Sequence, residues 1–171
     1  MTCLAYDGSL DGDRGGLLSG ARDTTVHVWA KASGACMRAL RSQRGFVQAL
    51  AVVPKRRAGA SSLVACGGTN GKLRLWDHHK GKCVKAIDAH ATSVTCCQFA
   101  TTQHGAPNGF LVSGGGDGCV KVWDARSMVP RRTLASHGNA VVDVAVVDGD
   151  GDVGPRVFST SKDGTLRVAH L

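Results

Sequence analysis

Leu111-Val112-Ser113-Gly114-Gly115-Gly116-Asp117-Gly118-Cys119-Val120-Lys121-Val122-Trp123 decides the fold, because the chain spells this stretch more than once. Leu17-Leu18-Ser19-Gly20-Ala21-Arg22-Asp23-Thr24-Thr25-Val26-His27-Val28-Trp29 matches it in pattern almost throughout, and the segments Leu63 to Asp77 and Arg156 to Ala169 supply two further copies. Trp29, Trp76 and Trp123 stand 47 residues apart, and Ala169 takes the fourth position after 46. Val47, Val94 and Val141 keep the same step of 47, as do Cys36 and Cys83. Self-similarity at a period of this size marks an architecture in which each repeat buries its faces against its neighbours.

Inside each copy, short apolar runs and period-two alternation are separated by turn residues, which is the pattern of strands. In the third copy Ser93 to Phe99 reads as strand a, Phe110 to Ser113 as b, Gly118 to Trp123 as c and Arg131 to Ala135 as d. Asn70-Gly71 and Asp117-Gly118 supply b-to-c hairpins, whose turns need the positive φ that Asn, Asp and Gly tolerate. No segment has helical periodicity, so the class is all-β, one four-stranded antiparallel blade per repeat. The 23 glycines among 171 residues agree with many tight turns, and 43% hydrophobic against 20% charged residues is the composition of a folded chain.

Other classes are excluded or disfavoured. There is no apolar run of membrane-spanning length, and the N-terminus lacks a signal-peptide plan. Seven cysteines, an odd number without C-x-x-C spacing, fit neither a disulfide framework nor a zinc ribbon, which points to the cytoplasm or nucleus. The net charge of +8 would attract nucleic acid, anionic lipid or an acidic protein without choosing among them.

These residues resemble the WD-repeat β-propeller family over essentially the whole chain. Trp76-Asp77 and Trp123-Asp124 are its dipeptide, while Trp29-Ala30 and Ala169-His170 depart from it. The resemblance implies a structural tetrad of His, Ser or Thr, Asp and Trp in each blade. His90, Ser113, Asp117 and Trp123 complete it in the third repeat; the fourth keeps His137, Ser159 and Asp163 with Ala169, the second has Gln43, Cys66 and Asn70 around Trp76, and the first has Ser19, Asp23 and Trp29. On this reading residues 1–41, 42–88 and 89–135 are blades one to three and 136–171 are three strands of a fourth. Family rings commonly need about twice this length, so an open arc is expected. A piece of a longer propeller is the preferred explanation, ahead of two chains pairing and of a strained four-bladed ring.

The family's usual role implies a non-catalytic scaffold presenting loops to other proteins, with no cofactor and no metal. By position, Arg22, Thr69 and Lys162, each preceding a b-to-c Asp or its equivalent, and Phe46 and Ser93, each preceding the strand-a Val, are partner-binding candidates, with Arg44 beside Phe46. Phe46 and the arginines are the anchor-like groups. Lys55, Arg56, Arg57, Lys80, Lys82, Arg126, Arg131 and Arg132 gather on the a-to-b and c-to-d turns as a basic face, flanked by acidic turns Asp7 to Asp13 and Asp148 to Asp152. Few aromatic residues interleave with them, which disfavours nucleic acid. The stretch Leu111 to Arg126, ending Trp123-Asp124-Ala125-Arg126, resembles the W-D-x-R box of substrate receptors for cullin-RING ubiquitin ligases, which would give Asp124 and Arg126 an adaptor role.

Several chemistry-bearing groups read more simply. His90, Ser113 and Asp117 suggest a hydrolytic triad but are explained by the tetrad. Cys96 and Cys97 alternate across a strand and cannot easily share one ion with His90 or His104. His78-His79 is expected to be a solvated turn, with metal binding the lesser alternative. The run Asp148-Gly149-Asp150-Gly151-Asp152 lacks the Gly and Glu that a calcium loop needs at Val153 and Ser159.

Overall fold

The structure is a computed structural model that describes residues 2–8, 16–41, 44–53, 62–100, 109–148 and 154–171. Fifteen strands form four antiparallel sheets in plain up-and-down order among the described residues. Blade one is β1 (Cys3–Tyr6), β2 (Gly16–Gly20), β3 (Thr25–Ala30) and β4 (Cys36–Arg41). Blade two is β5 (Val47–Val53), β6 (Leu63–Gly68), β7 (Lys72–Asp77) and β8 (Lys82–Asp88). Blade three is β9 (Val94–Ala100), β10 (Phe110–Gly115), β11 (Cys119–Asp124) and β12 (Pro130–Ser136), and blade four is β13 (Val141–Val147), β14 (Arg156–Ser161) and β15 (Leu166–His170). In the third blade the strands exceed or trail their expected limits by a residue or two.

The innermost strands β1, β5, β9 and β13 pack one against the next, so each blade leans on the one before. Three apolar clusters fill the junctions. Val26, Val28 and Leu18 meet Val47, Val64 and Trp76 between blades one and two; Leu73 and Leu75 meet Val94, Leu111 and Trp123 between two and three; Val120 and Val122 meet Val141, Val144 and Val157 between three and four. Each such side chain contributes about 1.5–3 kcal/mol on burial. Threonine adds a polar tie: Thr95 donates its hydroxyl to the Val141 carbonyl at 2.7 Å, and Thr2 reaches the Val47 carbonyl in the same way.

The arc is open. On blade one Leu4, Tyr6 and Leu17 are exposed on the side where their counterparts elsewhere are covered, and on blade four Leu166 is 61% and Val168 49% exposed, whereas Val120 and Val122 in the same register are buried. No helix among the described residues is long and apolar enough to cross a membrane.

Candidate functional site

The b-to-c turns of the four blades gather on one face, where those of blades two, three and four are each pinned to the approach of the blade's inner strand. Phe46 and Thr69 exchange bonds, Phe46 N–H to the Thr69 hydroxyl and Thr69 N–H to the Phe46 carbonyl, both at 3.0 Å. Gly116 N–H donates to Ser93 and Lys162 N–H to Ala140, each at 2.9 Å. This lattice fixes the backbone under the partner-binding candidates before any partner arrives.

Besides bonding Phe46 to Thr69, the structure sets a further candidate, Arg22, beside Phe46. The Arg22 guanidinium on blade one lies 6.0 Å from the Phe46 ring centroid on blade two, a cation–π distance. The pair forms one side of a cavity of about 300 Å³ also lined by Thr2, Gln48 and Thr95. The Gln48 side-chain oxygen is buried there without a hydrogen-bond partner. Arg44, Thr69 and Lys162 are exposed and Ser93 half-buried, all outside that cavity's lining. Sequence reasoning missed Gln48 and Thr95, although they follow Val47 and Val94 in the repeat and could have been read from that register.

The third-blade tetrad is closed. Trp123 N–H donates to Ser113 at 2.9 Å, Ser113 pairs with His90 Nε2 at 2.8 Å, and His90 Nδ1 meets Asp117 at 3.0 Å. An indole can only donate, so Ser113 spends its own proton on Nε2 and leaves Nδ1–H for the carboxylate. Burial pushes the His90 pKa down, partly opposed by Asp117. Burial would raise Asp117, but the Ala91 and Cys119 amides and His90 bring it below the usual carboxylate range. Ser113 is fully buried, so its hydroxyl cannot reach a substrate and the group is a fastener.

The opposite face differs from the sequence expectation. His78 is not solvated but buried, with His79 half-buried beside it, and Asp7 belongs to no exposed acidic turn because it is buried against His78. The basic face is partly spent internally. Lys80 pairs with Asp77 at 3.6 Å, Arg131 with Asp124 at 3.0 Å and over the Phe110 ring at 5.1 Å, and Arg132 donates to the His170 carbonyl at 3.3 Å; Lys82 and Arg126 are exposed. Lys55, Arg56 and Arg57 lie outside the described residues, as do Gln43, His104 and residues 9–13 and 149–153. Asp124 accepts bonds from the Arg126 and Ser127 amides, the Ser127 hydroxyl and Arg131; these overcome burial and set its pKa to about 2. It therefore orders its own turn and leaves Arg126 as the exposed member of the W-D-x-R box. Cys96 packs at the junction of blades three and four and Cys97 at that of two and three; burial raises Cys96 to about 11 and pushes Cys97 well up, so neither is a ready thiolate.

Comparison with known proteins decides the family. The family model described as WD domain, G-beta repeat matches residues 81–124 and 128–169, together just over half of the chain. The chain belongs to this WD40 family. Each WD40 match runs from strand d of one blade through strand c of the next, which is the offset by which the repeat is stitched across blades. A crystal structure of the computationally designed Ika4 protein is similar at 25% identity and a TM-score of 0.73, over 99% of this chain and 90% of that one. No curated protein matches the sequence. As a WD40 propeller the chain is a non-catalytic scaffold for protein interaction.

Proposed function

We propose that this scaffold takes a partner protein segment across the Arg22–Phe46 rim, and that the segment combines a carboxylate with an apolar side chain. The observation that carries this is the stacked pair itself: an exposed arginine over an aromatic ring, contributed by two blades, beside a cavity containing a buried acceptor at Gln48. Arginine and aromatic residues dominate interface hot spots, and loops already pinned by hydrogen bonds lose little entropy on binding. The carboxylate would meet Arg22, the apolar group would cover Phe46, and a backbone N–H of the segment would satisfy Gln48.

Selection of random peptides on the whole chain tests the reading. Enriched sequences should carry the acidic–apolar combination and lose at least tenfold in affinity against Arg22→Ala or Phe46→Ala, while Arg126→Ala binds unchanged. Peptides that bind all three variants equally would place the recognition surface elsewhere.

A second reading rests on the two open blade faces, which suit another sheet. Pairing with a second copy is the form of it that this chain can be tested for directly.

A further inference from the structure

The geometry points to a binding site for one divalent transition-metal ion of the zinc class, held by Asp7, His78 and His79 and bridging blades one and two. Asp7 directly follows β1, and its backbone is fixed by an N–H bond to the Gly16 carbonyl at 2.8 Å. His78 and His79 open the turn between β7 and β8, where Asp77 accepts the Lys80 amide at 3.0 Å. Two separately anchored pieces of chain thus deliver three ligand-bearing side chains to one place.

One ligand atom from each of the three lies within 4.8 Å of the other two. His78 Nε2 and Asp7 Oδ2 are 3.4 Å apart. Metal–nitrogen and metal–oxygen bonds of about 2.0–2.1 Å in a tetrahedron imply ligand separations of about 3.3 Å, whereas a good N–H···O bond is shorter. The spacing is therefore the edge of a coordination polyhedron more than a hydrogen bond. The imidazole rings sit 4.2 Å apart between centroids and tilt by 36°, so neighbouring side chains converge instead of splaying.

Burial supplies the independent sign. His78 is 2% exposed; its Nδ1 has no hydrogen-bond partner, and its Nε2 has only the 3.4 Å contact with Asp7 Oδ2. Native structures seldom leave such groups orphaned, and a metal ion would take up one of these lone pairs. Imidazole with carboxylate is the donor set of zinc and its neighbours, not of calcium or magnesium. A cavity of about 280 Å³ lined by Val28, Met37, Arg38, His78 and His79 leaves room for a fourth, non-protein ligand. Arg38 donates to the Lys80 carbonyl at 3.4 Å, and its charge opposes a second cation nearby. With three protein ligands and that repulsion, micromolar affinity is expected. The competing arrangement is a plain Asp7–His78 ion pair that takes no metal.

The experiment is titration of the chelator-treated whole chain with Zn²⁺ alone in the presence of a non-thiol reductant, followed by calorimetry and thermal melting. One equivalent should bind with micromolar Kd and raise Tm by several degrees. His79→Asn and Asp7→Asn should each weaken binding at least tenfold, and Cys36→Ser should leave it unchanged. His79 is only half-buried, so the zinc-dependent rise in Tm, read against that variant's own apo Tm, decides the matter even if Asp7→Asn fails to fold. Substituted Co²⁺ should show a ligand field without the thiolate charge-transfer band. Absence of stoichiometric binding, equal binding by the His79 variant, or a thiolate band assigning the metal to the cysteines would overturn the site.

Discussion

The Trp123 indole donates to the Ser113 hydroxyl at 2.9 Å from opposite strands of the same blade. Leu111, not Ser113, faces Trp123 in the ladder, so the bond crosses the register and braces the sheet on a diagonal. Trp123→Phe keeps most of the ring and removes the donor. It should cost about 1–3 kcal/mol in urea unfolding, since the Ser113–His90–Asp117 chain loses its terminal link. An unchanged midpoint would show that the tetrad stabilises nothing.

What could be read in advance was whatever repeats. Strand order and the open faces follow from one period and appear as the register requires; the tetrad is implied by the family resemblance, and its bonds close in the third blade. The acidic reading of Asp7 and the solvated reading of His78 failed because each depends on a contact between blades, and a repeat pattern reports only what sits inside its own copy. The register already sets Arg22 on the blade preceding Phe46 as part of one anchor-like group, but their stacking distance is not legible because nothing in the spacing measures the gap across a junction. Arg131 belongs to the basic face by charge and turn position, while its partners Asp124 and Phe110 are reached only through the fold.

Thr24 occupies the turn position held by Gly71, Gly118 and Gly164 in the other blades. It has φ of 71°, alongside 71°, 78° and 80° for the glycines. A β-branched residue there is strained by about 1–2 kcal/mol, while glycine restores some unfolded-chain entropy. Thr24→Gly should therefore stabilise the chain by about 0.5–1 kcal/mol, seen as a higher urea midpoint at constant m-value. A lower midpoint would mean that the Thr24 side chain contributes more than its backbone costs.

Acid should unfold this protein in two stages. Burial lowers the His90 pKa, so the folded state resists the proton that the unfolded histidine accepts from about pH 6.5 downward, and stability falls as pH drops through that range. Asp117 and Asp124 have lowered pKa values, Asp124 at about 2, so their contribution is present above about pH 4 and is lost as pH falls further. Asp163 behaves in the same sense because the Thr165 hydroxyl and neighbouring amides hold its carboxylate charged. Melting temperature should decline below about pH 6.5 and more steeply below about 4. His90→Gln should flatten the upper stage and, through the lost contact with Asp117, reduce part of the lower one. A wild-type Tm that is constant from pH 7.5 to 5 would contradict the buried neutral histidine.

The internal junctions share a socket that the last blade lacks. Val47, Val94 and Val141 press onto Gly20, Gly67 and Gly114, where any Cβ would collide with them. Those glycines pair in the ladder with Cys3, Ala49 and Cys96, but on blade four the corresponding pair is Thr160 and Asp143, both exposed. Below this obstruction Leu166 and Val168 remain apolar and uncovered, a combination that favours association while denying it the tight seat found inside the arc. Sedimentation of the pure chain should therefore show weak, concentration-dependent self-association. Leu166→Lys together with Val168→Lys should return it to monomer, and Thr160→Gly with Asp143→Ala should tighten it at least several-fold by rebuilding the socket. A monomer at every concentration, or an association indifferent to the first pair of changes, would show that the trailing face of blade four is not where copies meet.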